Sequence, residues 1–556
     1  MRGLRTIETD VLVVGSGGAG LWAAIRAAEA GVRTFLVDKG LVGRSGNTVM
    51  ASGLSVVGPW HLPGDGPEVL LHDTLEGGQF LNNEKLARIL IDEAPERVAE
   101  LEEWGLTFDR EADGRYFLLQ SGGHRYPRVL VRSDRVGLAI AKTLRRRALQ
   151  VGVKFQEDTI VTALLTSGER VVGATGIDCR SGELVAFRAR AVVLATGGVA
   201  QLYPMSTSRA SNSGDGLALA LRAGAVMADM EQVQFYPRSL VFPPSVKGFA
   251  LGIMGKLLNR YGERFMERYD PERLEGSTRD ITSRAIYSEM KAGRGTEHGG
   301  VFKDARETPE RVFLSYLDQY NFCLKRGLDL KKEMAEVAPA VHYFMGGIEI
   351  NERGESNLAG LYAAGEVAGG IHGANRLGGN SLADLLVFGA RAGEWAARWA
   401  LESPPTEAHH QEVKGERERI RSLLETRDGG VRPIEVKRAI QEIMWEKAGV
   451  VRSQESLSEA LERLDQLEAD LSEARVACNG LVYNQELVSY LEAENLLLVG
   501  KAMVTSALVR EESRGAHYRE DYPEKDDRLW LKNVLLQLEG QEFRTSLRPV
   551  MAEIDG

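Results

Sequence analysis

The sequence predicts an α/β chain in which a nucleotide-binding domain is interrupted by an inserted domain, resumes, and is followed by a helical domain. Three observations carry this. "TDVLVVGSGGAGLWAAIRAAEAGVRTFLVDKG" reads as strand, glycine turn, amphipathic helix and strand. From about 239 to 341 the texture is charged and helix-favouring, as in "RDITSRAIYSEMKAG", before "GIEINERGESNLAGLYAAGE" returns to short strands and turns. Past the polar, proline-containing "ESPPTEAHHQEVKGERE" the chain is strongly helical.

The bounds agree. With 556 residues, 43% hydrophobic and 27% charged, the chain has the composition of a globular protein with roughly three or four domain-sized units. A formal charge of -10 argues against nucleic acid as a partner. No run of 18 apolar residues occurs and "MRGLRTIETDVLVVG" lacks signal-peptide features, so the expected location is cytoplasmic, or peripheral on the cytoplasmic face of a membrane. The three cysteines, Cys179, Cys323 and Cys478, are isolated; they exclude a metal or cluster site of the CxxC type and read as buried structural thiols.

The first strand is Val11 to Val14, and Gly15, Gly17 and Gly20, with Gly18 between, form G-x-G-x-x-G between it and the helix. The first glycine permits the turn, the second admits a pyrophosphate, and the third brings helix and strand close. Asp38 ends the second strand, placed to accept from ribose hydroxyls. FAD and NAD share this fingerprint. "ATGG" at 195–198 and "NSGDG" at 212–216, with Asp215, favour FAD, whose extended form touches several glycine-rich segments. "GERVVGATGIDCRSGELVAFRA" reads as a hairpin. "SLSEALERLDQLEADLSEA" has leucines at helical spacing and fits a surface helical hairpin or part of a bundle rather than a free coiled coil. The tail "ESRGAHYREDYPEKDDRLWLKN" is dense in charge and aromatics.

Further motifs are "GHRYPRVL", "NSGDGLALALRAGA", "DMEQVQFYP", "LLNRYGERFMERY", "TRDITSRAI", "HYFMGGI", "LYAAGEVAGGIHGANRLGGNSLADLLVFG", "IMWEKAGVVR" and "ESRGAHYREDYPE". Together and in this order they resemble the flavoprotein subunits of succinate dehydrogenase and fumarate reductase, with L-aspartate oxidase a near relative. The resemblance runs from about residue 8 to 550. It implies a Rossmann-like, glutathione-reductase-like FAD-binding domain over 1–238 and 345–405, and an α+β capping domain over 239–344. A helical domain over 406–520 and a C-terminal tail over 521–556 complete it. It also implies that Arg376 and His342 bind one substrate carboxylate, that Arg279 gives a proton to the substrate carbon, and that Tyr236 lies at the far carboxylate. A guanidinium suits the first task because its fork donates two parallel charge-assisted bonds. Around the cofactor the resemblance places Gly15, Gly17, Gly18, Gly20, Asp38, Lys39, Ser45, Asn47, Thr48 and Gly53. Ala195, Thr196, Gly197, Asp215, Glu366, Arg376, Asn380, Ser381 and Leu382 complete the set, and no metal is implied.

The sequence departs from that family in three places. Asn47 falls where the respiratory enzymes link FAD through a histidine, so non-covalent FAD is expected. Tyr236 replaces a histidine in "QFYP". The family's relay glutamate is missing, because no carboxylate lies between Tyr236 and Asn259, where Arg238, Lys247 and Lys256 are the charged residues present. Ser121 stands where aspartate oxidase has a glutamate, against that activity. The expected function is the catalytic subunit of a fumarate reductase or succinate dehydrogenase type complex, exchanging electrons with a separate iron–sulfur subunit. The alternatives are a reductase or dehydrogenase of another unsaturated or substituted carboxylate, and an electron-relay subunit with a decayed pocket.

Overall fold

Short apolar runs without polar interruption suit strands buried on both faces, and the largest core is built on them. The computed structural model describes residues 4–404, 410–425 and 430–550. Val11–Val14 is the central strand of a five-stranded parallel sheet, ordered Leu361–Ala363, Ala191–Leu194, Val11–Val14, Thr34–Val37, Lys154–Gln156. The resumed segment thus supplies an edge strand to the sheet that the N-terminal segment began. Helix Gly18–Glu29 packs against the long helix Asn380–Glu402 through small residues. A Cβ at Gly393 would lie 2.2 Å from Ala23 O, and one at Gly389 2.7 Å from Ala19 O. The backbones therefore touch, and the N-terminus of the long helix comes to the glycine turn. The expected hairpin is present as Arg170–Asp178 antiparallel to Glu183–Arg188, in a second sheet with Leu4–Glu8 and Thr159–Ser167.

The inserted region is an antiparallel sheet with helices, ordered Val233–Phe242, Ala335–Phe344, Val301–Asp304, Lys256–Leu258. It has its own core, including Leu240, Leu251, Ile253, Phe265, Ile286 and Val337. Its first strand runs through residue 238, so one strand belongs to both sides of that expected boundary. Register shifts fall at Gln234/Phe235 and Tyr236/Ser239, where bulges re-aim side chains.

Helices Pro433–Lys447, Gln454–Ser472 and Gln485–Val509 pack together. Leu457, Ala460, Leu464 and Leu471 are buried, so the leucine-rich segment belongs to a bundle. Its start is capped by Ser453, whose hydroxyl accepts from Ser456 N–H at 3.2 Å. The expected boundary at 405/406 lies outside the described residues. The charge-dense segment after 509 packs inward. Arg510 pairs with Glu231 at 2.6 Å, Asp229 at 3.2 Å and Glu512 at 3.0 Å, and Arg514 with Glu512 at 2.6 Å, all fully buried or nearly so. Pairing of this kind offsets the cost of burying the charges. The hairpin Lys532–Glu539/Glu542–Pro549 then joins Met227–Ala228. Cys179 and Cys323 are buried as expected, but Cys478 is exposed, since it sits in the irregular link before the last bundle helix.

Candidate active site

The glycine turn is fixed by contacts that only glycine tolerates. Gly15 has φ +100°, and a Cβ there would lie 2.4 Å from Ala195 O. A Cβ at Gly20 would lie 1.8 Å from Gly15 O, whereas one at Gly17 would meet only Thr48 Oγ1, at 3.6 Å. The first and third glycines therefore serve packing, and the second leaves the backbone open to a ligand. Gly18 N–H donates to Thr48 Oγ1 at 2.9 Å. From this turn a cavity of about 930 Å³ runs to the inserted domain. Every residue expected around the cofactor lies in its wall except Gly20, which is behind it, and Asn380. Asn380 is buried and donates to Thr74 Oγ1 at 3.2 Å.

At the nucleotide end two expected contacts are already engaged. Asp38 accepts from Ser16 N–H (2.7 Å), Ser16 Oγ (2.6 Å), Gly40 N–H (2.7 Å) and Ser45 Oγ (2.9 Å). A ribose hydroxyl would therefore take the place of one serine hydroxyl. The Lys39 ammonium is held by Asp215 at 2.8 Å and Glu492 at 3.0 Å. Despite burial, these two acids raise its pKa, and Lys39 in turn keeps Asp215 below the carboxylate range against the effect of burial. Lys39 is thus a structural ion pair at the cavity wall rather than a free cation for phosphate.

The middle of the cavity is cleared by small residues. A Cβ at Gly198 would lie 2.6 Å from Glu366 Oε1, and Gly197 has φ +77°. Glu366 accepts from Phe344 N–H at 3.2 Å, and burial pushes it up to about 7. Thr196 Oγ1 is buried without a hydrogen-bond partner. Ser381 and Leu382 lie in the first turn of Asn380–Glu402, at the positive end of the helix dipole. A flavin dinucleotide fits this set: an open glycine turn, a long cleared cleft, an orphaned hydroxyl and a helix N-terminus. Asn47 lines the cavity and accepts from Arg209 N–H through Oδ1 at 2.9 Å. An amide has no nucleophilic ring nitrogen, so acid precipitation is expected to release all FAD into the supernatant. Flavin fluorescence remaining on the denatured band would contradict this.

Charge collects at the other end. Arg279, the first residue of helix Arg279–Glu289, donates to Gln234 Oε1 at 2.7 Å. Arg376 is 4% exposed and donates to the same oxygen at 3.3 Å, to Leu377 O at 3.0 Å and to Ser381 Oγ at 3.3 Å. Its Nε is buried without a partner, and its guanidinium lies 4.4 Å from the Tyr343 ring centre. Burial, together with Arg376 and Arg238, pulls Arg279 down to about 9. Burial and the neighbouring charges of Arg279 and Arg376 hold His342 well below the histidine range, so its ring is neutral. His342 Nδ1 lies 2.7 Å from Thr207 Oγ1. If Thr207 donates, Nε2 carries the N–H that a carboxylate needs.

Tyr236 reaches the site with its ring rather than its hydroxyl. The hydroxyl donates to Leu251 O at 3.1 Å, while the ring lies 5.2 Å from His342 and 5.4 Å from the Arg279 guanidinium. Of the three cations that follow Tyr236, Arg238 and Lys247 line the cavity. Lys256 does not; it pairs with Glu307 at 2.6 Å on the surface. Sequence reasoning missed Gln234, whose amide also donates to Asn375 Oδ1 at 2.7 Å and Arg376 O at 2.8 Å. It lies two residues before Tyr236 in a motif already singled out, and a buried glutamine there was the available signal. Tyr343, next to His342 in "HYFMGGI", was missed as well, and so was Thr207, which only the fold brings to the site.

Residues 10–382 match the model of an FAD binding domain, and residues 437–554 that of the fumarate reductase flavoprotein C-terminal region. The chain is 43% identical over 536 residues to one of the subunits of the fumarate reductase (CoM/CoB) of Methanothermobacter marburgensis, covering 95% of this chain and 97% of that one. It is 36% identical over 554 residues to the succinate dehydrogenase flavoprotein subunit of Rickettsia bellii, covering 95% and 92%. A quinol fumarate reductase structure from E. coli superposes with a TM-score of 0.93 at 31% identity, covering 99% of this chain and 98% of that one. A Mycobacterium smegmatis succinate dehydrogenase structure gives 0.90 at 37% identity, covering 99% and 95%. The chain belongs to the family of fumarate reductase and succinate dehydrogenase flavoprotein subunits, FAD-dependent oxidoreductases.

Proposed function

We propose that this chain reduces the carbon–carbon double bond of fumarate or a close unsaturated dicarboxylate, with electrons arriving from a separate iron–sulfur protein. One observation carries the reading. Arg279 and Arg376 converge on one carboxamide oxygen beside a neutral histidine, and their hydrogen-bond partners are an amide, a hydroxyl and a carbonyl rather than carboxylates. Cations held in this way are stabilised when an anion joins them. Arg376 offers its fork and unpartnered Nε to one carboxylate, with His342 Nε2 beside it. Arg279 holds a proton at the edge of the same space, and its lowered pKa eases transfer to a carbon. Bound between these residues and the N-terminus of Asn380–Glu402, FAD would supply the hydride. The intact arginine pair speaks against a decayed relay pocket.

The electron source follows from the cysteines. Cys179, Cys323 and Cys478 are too few and too far apart for the four thiolates of a cluster. The Methanothermobacter relative is named for a CoM/CoB couple; we carry over only the fumarate half of that name. No described helix is long and apolar enough to cross a membrane, and we assign any membrane association to partners.

Arg238 is the proposed holder of the far carboxylate. Its Nε is buried without a partner and its guanidinium stands 5.8 Å from the Tyr236 ring centre. Losing one charge-assisted contact costs about 1.5–3 kcal/mol, equal to roughly ten- to a hundredfold in affinity. Arg238→Ala is expected to lower kcat/KM for fumarate by that factor and to leave the mono-amide nearly unchanged. The test compares both substrates in both proteins with a reduced low-potential dye as donor. Equal losses on the two substrates would remove Arg238 from this role, and wild-type preference for the mono-amide would favour a substituted carboxylate as the true substrate.

A further inference from the structure

The inserted cap meets the flavin-binding domain at an acidic seam that the chemistry above does not use. Asp134 precedes helix Val136–Gln150, and Asp318 lies in the first turn of cap helix Leu317–Leu324. Both line the cavity. Gln319 N–H donates to Asp134 Oδ2 at 2.9 Å, and Arg135 pairs with Asp318. Asp134 Oδ1 is buried with no donor. Burial and the adjoining Asp318 carboxyl push Asp134 up to about 6. The other groups facing the pair are Arg135 and, from the cap, Tyr316, on whose hydroxyl the Asp134 charge acts. Asp109 stands behind on the flavin side, accepting from Ser133 N–H at 2.6 Å.

A chain of hydrogen bonds leads from this seam to Tyr236, whose ring lies against the arginine that carries the proton. Gln319 Oε1 accepts from Gly252 N–H at 2.8 Å. The preceding carbonyl, Leu251 O, accepts from Tyr236 OH at 3.1 Å and from buried Lys303 at 3.2 Å. Tyr236 in turn carries its ring beneath Arg279. Direct contacts thus join the cap helix at the seam to the ring that lies against Arg279.

We propose that Asp134 and Asp318 form a proton-dependent clasp between cap and flavin-binding domain, and that it positions Tyr236 and Arg279. With one proton shared between the carboxyls the cap helix is drawn down; with none, two negative charges push it away. The sign follows from linkage. The closed seam pushes Asp134 up to about 6, and opening returns it toward the ordinary aspartate value of about 3.9. Closure is favoured most below the lower value, weakens as pH rises to the upper one, and is constant above it. At neutral pH the clasp opposes over-closure, so the cap releases ligand. Its consequence for turnover rests on the function proposed above; the clasp itself does not.

The experiment is hydrogen–deuterium exchange on the FAD-loaded full chain without substrate, following a peptide over 316–324 and corrected for intrinsic pH dependence. In wild type, protection is expected to fall roughly ten- to thirtyfold between about pH 4.5 and 7.5. Asp134→Asn keeps the acceptor for Gln319 and donates an amide N–H to Asp318, so its protection should stay at the wild-type acid level throughout. Asp318→Asn removes the repulsion from the other side but leaves Asp134 buried, so its slope should be shallower than in wild type without vanishing. In turnover, KM for the carboxylate should follow the same pattern, rising with pH in wild type and flat in Asp134→Asn. Wild-type protection that does not change with pH, or variants that keep the wild-type slope, would overturn the clasp. Absence of activity on any carboxylate would instead overturn the function and leave the exchange result standing.

Discussion

Arg279→Gln is expected to lower turnover with fumarate by about 10²–10⁴-fold, the usual contribution of a positioned proton donor. KM should move little, because Arg376 and His342 remain. The glutamine can still bond Gln234 but carries no transferable proton at working pH. The wild-type pH profile gives an independent check. Arg279 sits at about 9, so its guanidinium is protonated below that pH and neutral above it. Above about pH 7.5, where the clasp no longer titrates, reduction measured as kcat/KM should therefore hold up to about 9 and fall beyond it. The reverse reaction, which needs the neutral form, should rise toward the same value. In Arg279→Gln the alkaline limb should vanish. A variant that keeps both wild-type turnover and the limb would show that another group supplies the proton.

Arg376→Ala should act on binding. Its fork is expected to make two charge-assisted bonds to one carboxylate, each contributing about 1.5–3 kcal/mol. Together that is about 3–6 kcal/mol, or roughly 10²–10⁴-fold in affinity. Arg376→Lys keeps the charge but not the planar fork, nor the stacking on Tyr343, and should fall in between. Equilibrium titration of the oxidised, FAD-loaded protein with a non-reacting dicarboxylate reads this without turnover. A dissociation constant unchanged in Arg376→Ala would place the carboxylate elsewhere.

What was legible in the sequence was local. The glycine turn announces itself because strand, G-x-G-x-x-G and helix are contiguous, and the structure confirms why Gly15 and Gly20 are required. Arg376 was reached through the resemblance carried by its glycine-rich motif. The leucine period of Gln454–Ser472 gave a helix, but not its two partners. What stayed hidden depends on contacts between distant segments. Lys39 meets Asp215 and Glu492 across most of the chain, so its charge is neutralised by residues that no local pattern connects. Gln234 bridges two arginines from other segments, and Asp134 meets Asp318 only because the cap folds back. Tyr236 was expected at the far carboxylate, whereas the backbone carbonyl of Leu251 takes its hydroxyl and leaves the ring to face the site.

The central claim is that a carboxylate bound by Arg376 and His342 is reduced with a proton from Arg279. Anaerobic rapid mixing tests it most directly: wild-type protein with its FAD fully reduced is mixed with fumarate, and the return of oxidised flavin absorbance is followed. The account predicts fast, saturable reoxidation with stoichiometric succinate, and reoxidation slowed by about 10²–10⁴-fold in Arg279→Gln at similar fumarate affinity. Reduced wild-type flavin that is left unchanged by fumarate and by its mono-amide and substituted analogues would contradict it.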